Sequence, residues 1–216
     1  MRITVLGTGI VGRTLAARFD QLGHDVTIGT RDPAHTREGE DFASWSADVP
    51  AVGLEAFGDV PDADLVLNAT SGGVSLDVLA AVGDERLSGR VLVDVSNPLD
   101  FSAGFPPSLL VKDTDSMAEL IQRAHPSARV VKTLNTMNAS VMAEPGRLPE
   151  PTTVFVSGGD ADAKAVVVEL LESLGHTDVL DLGGLETARG VEMYVALWIR
   201  TWQSLGTLDF NIKVVR

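Results

Sequence analysis

The sequence predicts an α/β fold, a doubly wound and mainly parallel sheet, and three observations predict it. A glycine-rich turn, Gly7-Thr8-Gly9-Ile10-Val11-Gly12, joins an apolar β-branched run to a helical pattern close to Met1. Short apolar runs then alternate with helical patterns along the 216 residues. Several of those runs end in Asn, Ser or Thr, at the strand ends where such sheets gather their ligands. The arrangement is of Rossmann type. It is expected over residues 1–145, and a Pro/Gly-rich connector from Pro145 to Pro151 leads into a small C-terminal α/β lobe, residues 146–216.

Arg2 to Leu6 is the first strand, apolar and β-branched as a strand buried on both faces must be. Ile10 to Leu22 carries Val11, Leu15, Ala16, Phe19 and Leu22 at helical spacing, and Gly23 suits the C′ stop. Asp25 to Gly29 is the second strand. Pro33 suits a first helical turn, so a helix is expected in the polar stretch to Pro50. Ala51 to Leu54 is a short third strand, Asp64 to Thr70 a firmer fourth, and Val74 to Val82 a helix. Gly89 to Val95 is the fifth strand and Arg129 to Leu134 the sixth. Between them Ser116, with Glu119 three residues on, forms a capping box for a helix reaching Arg123.

Leu99 to Asp115 reads as a long loop, and its apolar tip suits either covering a planar ligand or packing against protein. Beyond the connector come a strand from Thr153 to Ser157, a helix from Asp160 to Leu174 and a strand from Asp178 to Asp181. A helix from Leu185 to Leu205 is apolar nearly all round in its middle, so it is expected in the core or at a dimer contact near Trp198 and Trp202. Phe210 to Val215 closes the chain as a last strand or an extended tail.

Each glycine of the turn has a steric reason. Gly7 allows the tight turn, Gly9 lets backbone touch a pyrophosphate, and Gly12 lets helix pack on strand. The free N–H groups of the helix, at Thr8, Ile10 and Val11, then meet the diphosphate of a dinucleotide. The tip of the second strand selects which one. An NAD site places a carboxylate there, whereas this chain reads Gly29-Thr30-Arg31-Asp32. A hydroxyl and a guanidinium can hold a 2′-phosphate, so Thr30 and Arg31 point to NADP. Asp32 comes late and could still face a ribose. Arg37 could add to the phosphate site or stay solvated.

A net charge of -13 argues against nucleic acid or an anionic membrane as partner. No apolar run approaches the ~18 residues of a membrane span and no targeting segment is visible, so a cytoplasmic protein is expected. The absence of Cys excludes disulfides, thiolate nucleophiles and iron–sulfur clusters. His24, His35, His125 and His176 lack metal-like spacing, so no metal site is expected.

Three strand ends carry polar clusters: Asn68-Ala69-Thr70-Ser71, Ser96-Asn97 and Thr133 to Asn138. Each suits a turn, and together they suit a lined pocket. Asn68, Ala69, Asn97, Thr133 and Asn135 are the residues expected around a nicotinamide. No certain catalytic residue emerges; Asn135 is the nearest candidate. Lys132 and Asp94 are charged but sit inside strands. Carbonyl or imine reduction needs a placed proton donor, whereas hydride transfer between two planar cofactors needs mostly stacking and alignment. The sequence suits the second task.

With these residues the chain resembles the NADPH:coenzyme F420 oxidoreductases, within a wider group holding pyrroline-5-carboxylate reductase and the reductase domains of membrane metalloreductases. The resemblance spans nearly the whole chain and rests on Val5 to Gly12, Gly29-Thr30-Arg31, Val130 to Thr136 and Gly206 to Lys213. It implies a dimer, NADP on Thr8 to Gly12 with its phosphate at Thr30 and Arg31, and a deazaflavin in the cleft facing the C-terminal lobe. The archaeal enzymes carry His where this chain has Asn135, and the metalloreductase branch, which works with flavin, carries Asn. The hydride acceptor that the resemblance implies is coenzyme F420 or a flavin. Two alternatives stay open: reduction of another small substrate, and an NADP-sensing regulator without turnover.

Overall fold

The computed structural model describes residues 1–216. In the first half, β1 (Arg2–Leu6), α1 (Ile10–Gln21) and β2 (Asp25–Thr30) form the opening unit. Two helices, α2 (Pro33–Glu38) and α3 (Glu40–Asp48), stand where one was expected, because Gly39 between them is extended at φ -70 and ψ 122. β3 (Gly53–Ala56) starts two residues later than its apolar run suggested, in register with β2. β4 (Leu65–Asn68), α4 (Ser75–Val82), α5 (Asp84–Leu87) and β5 (Val91–Asp94) follow.

The expected loop after β5 contains a small hairpin, β6 (Leu99–Asp100) paired antiparallel with β7 (Ser108–Leu109). Two-residue strands carry too little period-2 pattern to be read from sequence. Next come α6 (Met117–Ala124), β8 (Arg129–Thr133) and α7 (Ala139–Ala143). Ser116 caps α6 as expected, its hydroxyl accepting from Glu119 N at 3.2 Å and donating to Glu119 Oε2 at 2.8 Å, but the reciprocal half of the box is missing, because Ser116 N donates to Asp115 Oδ1 at 3.0 Å. The chain finishes with β9 (Thr153–Gly158), α8 (Ala161–Leu174), β10 (Asp178–Asp181) and α9 (Ala188–Leu205).

All strands except the hairpin join one eight-stranded sheet, in the order β10-β9-β8-β5-β4-β1-β2-β3. Only β8 and β9 run antiparallel. The strands beyond the connector thus extend the sheet of the first half. The final residues form no strand. They are an extended tail held by Thr153, whose N–H donates to Ile212 O at 3.0 Å and whose hydroxyl accepts from Val214 N.

Helices cover both faces. Phe19, Leu15 and Ala16 of α1 pack on one side with the buried stripe of α8, and Leu79 of α4 and Ile121 of α6 pack on the other. Each of the buried Leu, Ile and Phe side chains contributes about 1.5–3 kcal/mol over leaving it in water. The strand order reverses between β1 and β4, and the crevice off their carboxyl ends is where this architecture binds ligands. No helix is long and apolar enough to cross a membrane.

Candidate active site

The glycines of the first turn divide into two kinds. Gly7 has φ +110, and a Cβ there would sit 2.9 Å from Ala69 O. A Cβ on Gly12 would sit 2.1 Å from Gly7 O, so α1 could not approach β1. These two are required by the fold itself. Gly9 is not: it is extended at φ -71, and a Cβ on it would meet nothing within 4 Å. Its bare backbone faces open space at the positive end of α1, a cradle suited to a pyrophosphate.

That space is a cleft of two chambers sharing Gly9, Ala69, Thr70 and Ser71. The smaller, about 270 Å³, runs from Gly7 and Thr8 to Thr30 and Arg31. Asp32 does not face it as a ribose partner, because its Oδ1 caps α2 by accepting from His35 N at 3.0 Å. Thr36 lies beside the site, its hydroxyl 2.8 Å from that of Thr30. Arg37 donates to Leu54 O at 3.1 Å and so braces β3.

The larger chamber, about 450 Å³, is bounded by Ile10 and Val11, by Val95 to Asn97, by Phe101 of the hairpin loop, by Met137 to Ala139 and by Trp198 of α9. No charged side chain, histidine or tyrosine lines it. Two of its lining residues each carry a buried polar atom, Ser96 Oγ and Trp198 Nε1, that has no partner in the protein. Orphaned donors of this kind cost free energy unless a ligand or water meets them. Trp198 stacks on Phe210 at 5.3 Å between ring centroids, while Phe105 of the hairpin loop packs edge-on against Trp202 at 6.1 Å. The hairpin thereby closes the outer side of the chamber.

Directly behind the chamber lies a fully buried charge cluster. Lys132 Nζ donates to Asp94 Oδ2 at 2.8 Å and to Ser96 O, and pairs with Glu192 Oε1 at 3.0 Å. Burial pulls the ammonium toward its neutral form, but Asp94 and Glu192 outweigh this and hold its pKa above the ordinary lysine value. The surplus negative charge meets N–H donors. Asp94 Oδ1 accepts from Asn68 Nδ2 and Ser96 N, and Glu192 accepts from Met117 N and Ala118 N in the first turn of α6. Removing one partner of such a buried pair costs about 3–5 kcal/mol.

This cluster redistributes the residues expected around a nicotinamide. Ala69 and Asn97 line the chamber. Asn68 is fully buried behind it, its amide given to Asp94 and Ser75 and its oxygen to Thr70. Thr133 points to the opposite edge of β8, where its hydroxyl donates to Phe155 O at 2.7 Å, because the antiparallel β9 lies there. Leu134, at φ +61, turns the chain out of the strand. Asn135 is 3 % exposed and its amide is consumed, donating to Asn97 Oδ1 and to Val191 O, which leaves it no donor for chemistry.

Glu192 and Trp198 are the site-forming residues that sequence reading left out. Glu192 had a signal, since a lone carboxylate in the apolar middle of α9 and a lone lysine inside β8 each demand a buried partner. Trp198 had none beyond its apolar surroundings. No group of three or more His, Asp or Glu is arranged to hold a metal.

Residues 2–98 match the model of the family described as NADP oxidoreductase, coenzyme F420-dependent. The crystal structure of an Arthrobacter sp. FB24 protein, provisionally named an F420-dependent NADP reductase, superposes with a TM-score of 0.98 at 56% identity, over 100% of both chains. The chain belongs to this family. It is an oxidoreductase enzyme. The F420-dependent NADP reductase of Methanocaldococcus jannaschii is 27% identical over 92% of this chain and 91% of its own. Metalloreductase STEAP3 of Rattus norvegicus is 28% identical over 94% of this chain, which spans only 38% of that longer protein.

Proposed function

We propose that the enzyme binds NADP along the two-chambered cleft and transfers hydride between NADPH and coenzyme F420, with a flavin as the other candidate acceptor. The observation that carries this reading is the larger chamber, which lies beside the Gly9 cradle and has no ionisable side chain on its wall. An acid–base reduction would want a proton donor there. Hydride exchange between planar rings wants apolar walls, alignment and exclusion of water.

In this reading the N–H groups of Thr8, Ile10 and Val11 and the positive end of α1 hold the pyrophosphate over Gly9. Thr30 and Arg31 hold the 2′-phosphate at the far end of the smaller chamber. Ala69 and Asn97 border the nicotinamide, while Asn68 and Asn135 act from behind by holding Thr70 and Asn97 in place. NADPH supplies the hydride and the deazaflavin or flavin takes it. The chain supplies position, with Phe101 of the hairpin loop and, from residues 146–216, Trp198 walling the acceptor side. A homodimer contact near Trp198 and Trp202, where Leu197 is exposed, and a cytoplasmic setting belong to the same proposal.

The names of the archaeal relatives favour F420 as acceptor. Purified protein with NADPH is followed at the deazaflavin absorbance band with F420, and in parallel with FMN, FAD and riboflavin. Oxidation of NADPH that requires F420 is expected. If none of these acceptors supports oxidation, the proposal fails in favour of an NADP-sensing protein or a different small substrate.

A further inference from the structure

The buried cluster of Lys132, Asp94 and Glu192 lines no part of the cleft itself, yet it bonds Ser96 on one wall and ends at α9, the helix that brings Trp198 to the acceptor chamber. We propose that these three residues form a charge clamp that sets the position of α9, and through it of Trp198, over that chamber. They are positioning residues. The effect on turnover rests on the function proposed above, whereas the effect on Trp198 does not.

The hydrogen bonds and ion pairs that tie α9 to β8 and α6 fall in its first turn and a half, with buried Val195 and Ile199 adding apolar packing further along. Arg189 pairs with Glu119 of α6, its Nε donating to Oε2 at 2.8 Å. Val191 O accepts from Asn135 Nδ2 at 2.9 Å, just past β8. Glu192 takes Met117 N at 2.8 Å, Ala118 N at 3.2 Å and the Lys132 ammonium. Trp198 follows six residues after Glu192 on the same rigid helix and reaches the chamber wall. A small rotation at Glu192 is therefore carried to the indole.

Lys132 anchors the other end of the arrangement. Its three protons are all spent, on Asp94, on Ser96 O and on Glu192. Ser96 and Asn97 form the opposite wall of the chamber, so a single ammonium holds both walls. A carboxylate at Glu192 offers two acceptor oxygens to three donors. Glutamine would offer one, and would turn its own NH₂ against an N–H or an ammonium.

The test uses Trp198 as its own reporter, in full-length protein carrying Trp45→Phe and Trp202→Phe. Into this background go Glu192→Gln, the half-exposed Arg189→Gln, and Leu171→Ala in the core under α8 as a control that loosens the fold elsewhere. With far-UV circular dichroism unchanged, Glu192→Gln is expected to red-shift Trp198 emission and to raise acrylamide quenching. Arg189→Gln is expected to do the same to a smaller extent, and Leu171→Ala not at all.

With F420, the KM for acceptor should rise about tenfold in Glu192→Gln while the NADPH dissociation constant changes less than about twofold. Emission and quenching unchanged in both α9 variants, or equally changed in the control, overturn the clamp. Should Glu192→Gln fail to fold, Arg189→Gln alone decides. If the wild-type protein oxidises no NADPH with F420, the acceptor reading fails and the fluorescence comparison still judges the clamp.

Discussion

A Gly9→Ala substitution adds one methyl at a point where the protein itself leaves room. The backbone at Gly9, φ -71 and ψ -179, is open to alanine, and the new Cβ meets no atom within 4 Å. Alanine is a poorer N-cap than glycine by a few tenths of a kcal/mol, and it lowers the entropy of the unfolded chain by about 0.4–1 kcal/mol. The two effects oppose, so stability should move by less than about 1 kcal/mol, or no more than ~4 °C in Tm for a chain of this size. The methyl does occupy the cradle where a pyrophosphate would touch backbone. Forcing one carbon into a close contact costs about 1–3 kcal/mol, which predicts an NADPH dissociation constant weaker by about 5- to 150-fold.

Gly12→Ala should behave the other way. Its Cβ would lie 2.1 Å from Gly7 O, so α1 must shift off β1, and a loss of about 3 kcal/mol or ~6–12 °C in Tm is expected. Thermal unfolding and NADPH fluorescence titration of both variants separate the effects. A Gly9→Ala protein that binds NADPH as tightly as wild type would refute the cradle.

Two further outcomes bear on the smaller chamber and on pH. Arg31→Ala should weaken NADPH by about 1.5–3 kcal/mol, the worth of a hydrogen bond to a charged group, and leave NADH nearly unchanged; equal losses for both nucleotides would sink the 2′-phosphate assignment. His176 is 2 % exposed, and burial pushes its pKa below the ordinary 6.5, partly offset by its hydrogen bond with Met142 O. A depressed folded pKa means that the unfolded chain binds the proton more readily. The stability that neutral His176 contributes is therefore full above pH 6.5 and drains away as pH falls toward its folded pKa. Denaturant midpoints at stepped pH should show this slope, and His176→Gln should remove part of it.

Where a residue's role was local, the sequence was readable. Gly12 answers to Gly7 within the same turn, Ser116 caps the first turn of its own helix, and β1, β2, β4 and β5 announce themselves as apolar runs. Asp32 was harder, since one carboxylate at a strand tip can serve a ribose or a helix cap, and only the path of α2 decides. Thr133 and Asn135 resisted for a related reason. A polar residue at a strand end points to ligand, to the next strand or into the core according to which neighbour pairs there, and β9 runs antiparallel.

From its sequence alone the chain determined a doubly wound sheet and the glycine turn between β1 and α1, because both depend on steric demands and periods that short segments carry largely within themselves. It also showed Thr30 and Arg31 at the tip of the second strand. The tertiary structure decided what faces the cradle. Lys132, Asp94 and Glu192 are far apart in the chain, and only the packing of β5, β8, α6 and α9 gathers them into one buried cluster. The same packing brings Trp198 to the cleft, and a contact made across that much sequence leaves no periodic trace to read.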